Sequence, residues 1–307
     1  MTLGTLAVIA HWIAAVALSG RVIMLRRPVG VSVAWVAVIA ALPMVGGIAY
    51  LLFGEMRFGR QRAARTATNL PLVQAAQANL LARLPKDLPP LEERAAALEK
   101  HAQRVLGLPA LSDNQLVLLQ GAHRFFEALV KDIDAARESC HACFYIWDAR
   151  GDAAKVTSAL IRAAGRGVEC KVLADGVGSE HFLVSPAASA MRAAGVTIVE
   201  AQPTSLIRMF FKRGDLRNHR KLVVIDDRLA YVGSQNLVDP SQMHEVHKRG
   251  AAVDAMLRIE GPVAPALNQV FALDWAVETG LDCQAGLSSA AAFPRSGGAR
   301  VQVIPSG

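Results

Sequence analysis

Two long apolar stretches open this 307-residue chain, and they limit its architecture more than any other feature. Leu3 to Leu25 is apolar apart from a few residues, His11, Ser19 and Arg21 among them, and Val31 to Phe53 carries no charge at all. A helix of about 20 residues crosses the hydrocarbon core of a bilayer, and both stretches reach that length. The Arg26-Arg27-Pro28 link between them suits a tight turn, so the pattern predicts two antiparallel transmembrane helices. Trp12, Trp35 and Tyr50 are candidate interfacial aromatics. A cleavable signal normally starts with basic residues, and no Lys or Arg precedes Arg21. A buried helical hairpin is the remaining alternative. Arg21, Arg26 and Arg27 flank one side of the second stretch and Arg57, Arg60, Arg62 and Arg65 the other. That asymmetry favours a cytoplasmic body on a multi-pass anchor in the inner (plasma) membrane.

The remaining composition narrows the partners. A formal net charge of +7 points to an acidic one, either anionic lipid or nucleic acid. Four cysteines are present, Cys140, Cys143, Cys170 and Cys283, and the first two form a C-x-x-C. No second pair follows at zinc-ligand spacing, so buried reduced thiols are the expectation, with no metal and no cofactor.

Residues 1–58 are read as the anchor and 59–110 as a helical linker rich in Ala, Gln, Leu and Arg, with a helix over Leu91–Leu106 entered by Pro90. From Leu111 strands and helices alternate. Strands are expected at Val117–Leu119, Cys143–Trp147, Val168–Ala174 and Val196–Val199, and helices at Ala122–Glu138, Ala153–Gly165 and Pro186–Ala194. This predicts an α/β domain over 111–284, a mixed sheet flanked by helices. Asp175-Gly-Val-Gly-Ser179 lacks the G-x-G-x-x-G spacing of a nucleotide loop; Asp175 either lines a pocket at a strand's carboxyl end or only forms a turn.

The chemistry is concentrated in Asn218-His219-Arg220-Lys221-Leu-Val-Val-Ile-Asp226 and the following Asp227-Arg-Leu-Ala-Tyr-Val-Gly233-Ser234-Gln235-Asn236. Two strands joined by a tight turn at 226–228 are expected. Residues two apart on a strand share a face, which pairs His219 with Lys221 and Ser234 with Asn236. An imidazole can attack phosphorus to form a phosphohistidine. An ammonium, a hydroxyl and a carboxamide can stabilise charge on non-bridging phosphate oxygens, and a carboxylate can hold a histidine in its useful tautomer.

The full pattern H-x-K-x4-D-x6-G-S-x-N is the signature of the phospholipase D superfamily, and this segment resembles it. Further segments resemble the bacterial cardiolipin synthases: the two apolar stretches with Leu51-Leu-Phe-Gly-Glu55, Phe144-Tyr-Ile-Trp147, Ala163 to Val168, Asp175 to Ser179, Met209 to Asp215, Val238-Asp-Pro240, Arg258 to Pro262 and Asp274-Trp275. The resemblance covers nearly the whole chain. It implies a phospholipase D-like domain behind two transmembrane helices, a membrane location, and phosphatidyl exchange between two molecules of phosphatidylglycerol to give cardiolipin and glycerol. It implies His219 as nucleophile or acid/base, Lys221 and Asn236 as phosphate ligands with Ser234 beside them, and Asp226 in support of a histidine.

Such enzymes carry two motifs, and this chain has a single H-x-K; His244-Glu-Val-His247-Lys248 lacks the spacing and is read as an exposed loop. Residues 285–307, ending in Val301-Gln-Val-Ile-Pro-Ser-Gly307, are read as a linker and the first strand of a second repeat, making the chain the N-terminal half of a longer enzyme. A homodimer or a separate second half would complete the site. The competing expectations are a homodimeric phosphodiesterase or nuclease using the basic run Arg208–Lys221, and an inactive half-enzyme. The apolar stretches and the lack of interleaved aromatics speak against nucleic acid.

Overall fold

The computed structural model describes residues 2–25, 29–42, 44–54, 60–84, 92–106, 108–203, 217–239, 254–283 and 298–305. The Arg26-Arg27-Pro28 link, Arg57, the Pro89-Pro90 pair, the Met209–Asp215 segment and the His244–Lys248 loop lie outside these residues. The chain divides into two compact units with a boundary at Arg60.

In the first unit, α1 (Leu3–Met24) starts at Thr2, whose side chain accepts the Thr5 N–H. It contains a 21-residue apolar segment, Gly4–Met24, with a mean hydropathy of 1.8, long enough to cross a bilayer. The second apolar stretch does not form one helix of that length. It gives α2 (Val29–Ala41), then α3 (Val45–Ala49) running into a π-helical turn (Tyr50–Gly54). Pro43, which has no N–H to donate to a helical ladder, falls in the gap between them. Ala15, Val22, Ile39 and Tyr50 are buried among these helices, with Trp35 edge-on to Tyr50 at 5.6 Å. The outward face remains apolar, since Ile13, Val16, Ile23 and Val33 are all exposed. A helix apolar on all sides suits a lipid surround.

The second unit is built on one eight-stranded sheet, ordered β4-β3-β2-β5-β6-β7-β1-β8. Its strands are β1 (Leu111–Gln120), β2 (Ser139–Phe144), β3 (Glu169–Asp175), β4 (Thr197–Ala201), β5 (Leu222–Ile225), β6 (Leu229–Gly233), β7 (Ala255–Glu260) and β8 (Ala299–Val301). β2, β3 and β4 run parallel, while β5, β6, β7, β1 and β8 continue antiparallel from β2. The mixed α/β sheet expected from the alternating pattern is therefore present. β4 and β8 are the edge strands, and β8 pairs with β1 at Leu111 and Asn114.

Helices cover both faces. On one side α6 (Ala122–Ala135), α7 (Ala153–Gly165) and α9 (Pro186–Ala193) bury Phe125, Leu129, Val156, Leu160 and Met191 against Ala142, Phe144, Val223, Ile225 and Tyr231. The short α8 (Glu180–Leu183) adds Phe182. On the other side α10 (Val263–Thr279) packs Ala264, Phe271 and Trp275 on Cys143, Leu173, Leu222, Val224 and Ala230. The helical linker forms α4 (Arg60–Arg83) and α5 (Glu93–Leu106). α4 is fastened to the carboxyl end of α10: Arg65 donates to the Val277 and Glu278 carbonyls, and Arg62 pairs with the Glu278 carboxylate. Cationic groups at that end satisfy orphan carbonyls and oppose the helix dipole.

β1 is longer than the expected Val117–Leu119, running Leu111–Gln120, and two further boundaries bear on the site. β2 starts at Ser139 and stops at Phe144, because its ladder with β3 and β5 lies over 139–144. Tyr145, Ile146 and Trp147, equally apolar, leave the ladder. β5 is only four residues long, so His219 and Lys221 stand just before it.

Candidate active site

The geometry of the site follows from the alternation of β5. Leu222 and Val224 point into the α10-side core, Val223 and Ile225 into the opposite one. The same alternation continues back along the chain beyond the strand. Asn218 and Arg220 turn to the α10 side, where Asp274 receives both: Asn218 Nδ2 and Arg220 Nη1 each donate to its Oδ2 at 2.9 Å. Asn218 Oδ1 accepts the Arg220 N–H at 3.1 Å, closing the loop on itself. Burial pushes the Asp274 carboxyl up, and the Arg220 guanidinium opposes the shift. One residue earlier, Arg217 makes a two-nitrogen contact with Asp175, at 2.9 Å and 2.8 Å, with both side chains almost wholly buried. Asp175 also accepts the Val177 and Gly178 N–H groups. Of its two sequence readings, the turn-former is realised, and its remaining capacity goes to Arg217 and not to an open pocket.

With 218 and 220 held below, His219 and Lys221 project together on the other side and meet at Tyr145. The His219 ring lies 4.3 Å from the Tyr145 ring centroid to centroid, and Lys221 Nζ sits 5.5 Å from the same ring. Lys221 Nζ donates to the His219 carbonyl at 2.7 Å. Partial burial pushes the Lys221 ammonium below the usual lysine range, while the Asp254 carboxylate near it works the other way. His219 is exposed, so a phosphate can approach its imidazole from outside.

Asn236 reaches the same place from β6. Its Oδ1 accepts the Ile146 N–H at 3.0 Å, which orients the amide and leaves Nδ2 as the donor face. Ser234 is exposed and closes the β6–β7 pairing: its Oγ accepts the Ala255 N–H at 3.1 Å and its N–H donates to the Ala255 carbonyl at 3.0 Å. The glycine before it is required by contact, since a Cβ on Gly233 would stand 2.2 Å from the Ala255 carbonyl oxygen.

Asp226 is not brought to this group. It lies five residues beyond Lys221 at the far end of β5, roughly 16 Å away at about 3.3 Å per residue. There Asp226 and Asp227, both with positive φ, form the hairpin turn closed by Arg228 N–H to the Ile225 carbonyl. The Asp226 carboxylate accepts the backbone N–H groups of Arg137, Glu138 and Ser139, at 2.9, 2.8 and 2.9 Å. Within this chain its bonds fasten the entry of β2, and none of them is to a histidine.

Comparison with known proteins fits this arrangement to a family. The family model described as "Cardiolipin synthase, PLD-like domain" matches residues 129–275, and that described as "Phospholipase_D-nuclease N-terminal" matches residues 13–55. Residues 129–275 form a domain of the phospholipase D-like family of the cardiolipin synthases. Cardiolipin synthase A of Edwardsiella ictaluri is 38% identical over 304 residues, covering 98% of this chain and 63% of that protein. Cardiolipin synthase A of Citrobacter koseri is 40% identical over 275 residues, covering 90% of this chain and 57% of that one. The chain thus spans about three-fifths of the length of the curated relatives it matches. Among solved structures, the phospholipase D family member Nuc from Salmonella typhimurium aligns with a TM-score of 0.39 at 16% identity, over 53% of this chain and 94% of that chain.

Within this phospholipase D-like domain, Tyr145, Asp254 and Asp274 were not singled out by motif reading. Asp274 and Tyr145 sat in segments that resemble the family, yet only the register of β2, β5 and α10 shows what they touch. Asp254 stands immediately before β7 and is brought beside Lys221 by pairing across β6. Among the described residues no group of three or more His, Cys, Asp and Glu side chains is placed to hold a metal ion. Cys140 and Cys143 fall in opposite cores of the sheet, and burial pushes both thiols up.

Proposed function

We propose that this domain transfers a phosphatidyl group between two phosphatidylglycerol molecules, with His219 as the group that bonds phosphorus. The observation that carries the reading is the convergence of an exposed imidazole, a partly desolvated ammonium and an oriented carboxamide donor around Tyr145. In the first step the neutral His219 imidazole attacks the phosphodiester phosphorus, the bond to the headgroup glycerol oxygen breaks, and that oxygen takes a proton. In the second, a hydroxyl of another phosphatidylglycerol loses its proton and attacks the phosphohistidine, restoring His219 and giving cardiolipin; glycerol is the other product. Lys221 and Asn236 Nδ2 donate to the non-bridging oxygens as charge grows on them. Ser234 shapes the rim beside them, and Asp254, not Asp226, is the carboxylate that steadies the cationic pair.

Protonating the leaving oxygen needs a second acid, and the sequence holds one H-x-K. In this reading a second motif, from another copy of the chain or from a separate segment, faces His219 across a two-fold. The apolar α1, with the shorter α2 and α3 acting together as a second crossing, tethers the domain to the bilayer that holds its substrate, with the body on the cytoplasmic side.

The test is incorporation of labelled phosphatidylglycerol into cardiolipin by membranes expressing the chain, alone and together with a second-motif domain. His219→Ala is expected to reduce product at least a thousandfold and to abolish acid-labile phosphate on the protein. Undiminished synthesis in that variant would end the assignment.

A further inference from the structure

The segment 145–147 is fixed from two sides, by the stretch after β6 and by the loop after β3. From β6, Asn236 Oδ1 accepts the Ile146 N–H, the Leu237 N–H donates to the Ile146 carbonyl at 3.1 Å, and the Asp148 N–H to the Leu237 carbonyl at 2.7 Å. From the loop after β3, Ser179 Oγ donates to the Tyr145 carbonyl at 3.0 Å and accepts the Trp147 N–H at 2.9 Å. Gly178 allows that approach, because a Cβ there would stand 2.2 Å from the Tyr145 carbonyl oxygen and 3.2 Å from its ring. So the Asp-Gly-Val-Gly-Ser loop, which is no nucleotide cradle, is a clamp on one short stretch of backbone. What that stretch delivers to the site is a single half-buried aromatic ring, in contact with His219 and beneath Lys221.

We infer that Tyr145 is a positioning residue of this site, its ring a platform that holds the His219 imidazole and the Lys221 ammonium side by side. The inference rests on the phosphohistidine reading above. Two groups that both carry positive charge during a cycle repel each other, and the negative face of an aromatic ring offsets that repulsion at a fixed location. Among the described residues, Lys221 shares the imidazole's own segment, Asp254 just before β7 and Cys143 of β2 act on Lys221, and Asn236, after β6, is neutral. The ring face therefore gives both side chains one fixed surface to lie against.

The experiment reads His219 directly, in the full chain in detergent micelles. Carbethoxylation by diethyl pyrocarbonate is timed at fixed pH by mass spectrometry of the His219 peptide. Tyr145→Phe keeps the ring and is expected to keep the wild-type rate. Tyr145→Leu, and Tyr145→Met as a second ringless variant should the first fail to fold, are expected to free the imidazole from its platform and raise that rate about threefold. In turnover assays the ringless variants should lose roughly tenfold in kcat with KM unchanged, and Phe should restore it. Coincident carbethoxylation rates in the folded wild type, Phe and ringless variants overturn the platform. A wild-type chain that transfers no phosphatidyl group even together with a second-motif domain defeats the functional reading instead, and the carbethoxylation rates are still read.

Discussion

Asp226 accepts three consecutive backbone N–H groups with one carboxylate, in a left-handed conformation (φ 52°) that Asp tolerates better than most residues. Its place in the motif is thus explained by the fold of β2 and β5, which deliver Tyr145 and Lys221 at their other ends. Asp226→Ala strands three partly solvated donors and leaves an alanine in the left-handed region, together costing about 2–3 kcal/mol. The expected outcome is a lower urea midpoint in detergent, with activity per folded molecule kept. Full stability with activity gone would return Asp226 to the chemistry. From sequence alone the five motif residues look equivalent, because spacing gives order along the chain but not which end of a strand faces the substrate. His219 and Lys221 could be paired by the period of two; the partners that enforce the pairing, Asn218 and Arg220 on Asp274, required α10 to be in place.

Strands β6 and β7 meet the site through the Gly233-Ser234 pair, where the backbone of Ala255 comes too close for any side chain on residue 233. Gly233→Ala forces the two strands apart at the point where Ser234 and Asp254 are positioned. Because the clash is with backbone, relaxation is limited, and a loss of about 2 kcal/mol is expected, with Lys221 and Asn236 displaced. The measurements are the thermal midpoint and the KM for phosphatidylglycerol, and wild-type values for both would refute the close-approach argument. Element by element, helices α6, α7 and α9 and the parallel strands β3 and β4 were legible in the apolar periodicity, whereas the Ser185 cap on α9 came from the structure. The Phe-Tyr-Ile-Trp run was not, since an apolar stretch looks the same whether it extends a ladder or leaves it to bind Asn236. Nor did hydropathy reveal that the second apolar stretch is two helices, because an average over residues does not register the break around Pro43.

At the scale of the molecule, a helix with a 21-residue apolar segment precedes a domain whose sheet is covered on both faces. Burying that helix in hydrocarbon removes most of its exposed apolar surface from water, far more than surface charge alone can hold. The expected behaviour is recovery in the membrane fraction after washing with high salt and alkaline carbonate, and release only by detergent. Extraction by salt alone would show that the net charge of +7, not α1, provides the attachment. The same double coverage has a practical corollary in the thiols. Cys140, Cys143, Cys170 and Cys283 are all sealed from solvent and unbridged, and burial disfavours the thiolate at each. A fifth cysteine added at an exposed position would outpace them for a maleimide, so fluorescent or spin labels can report on the protein while every native sulfur stays where it is.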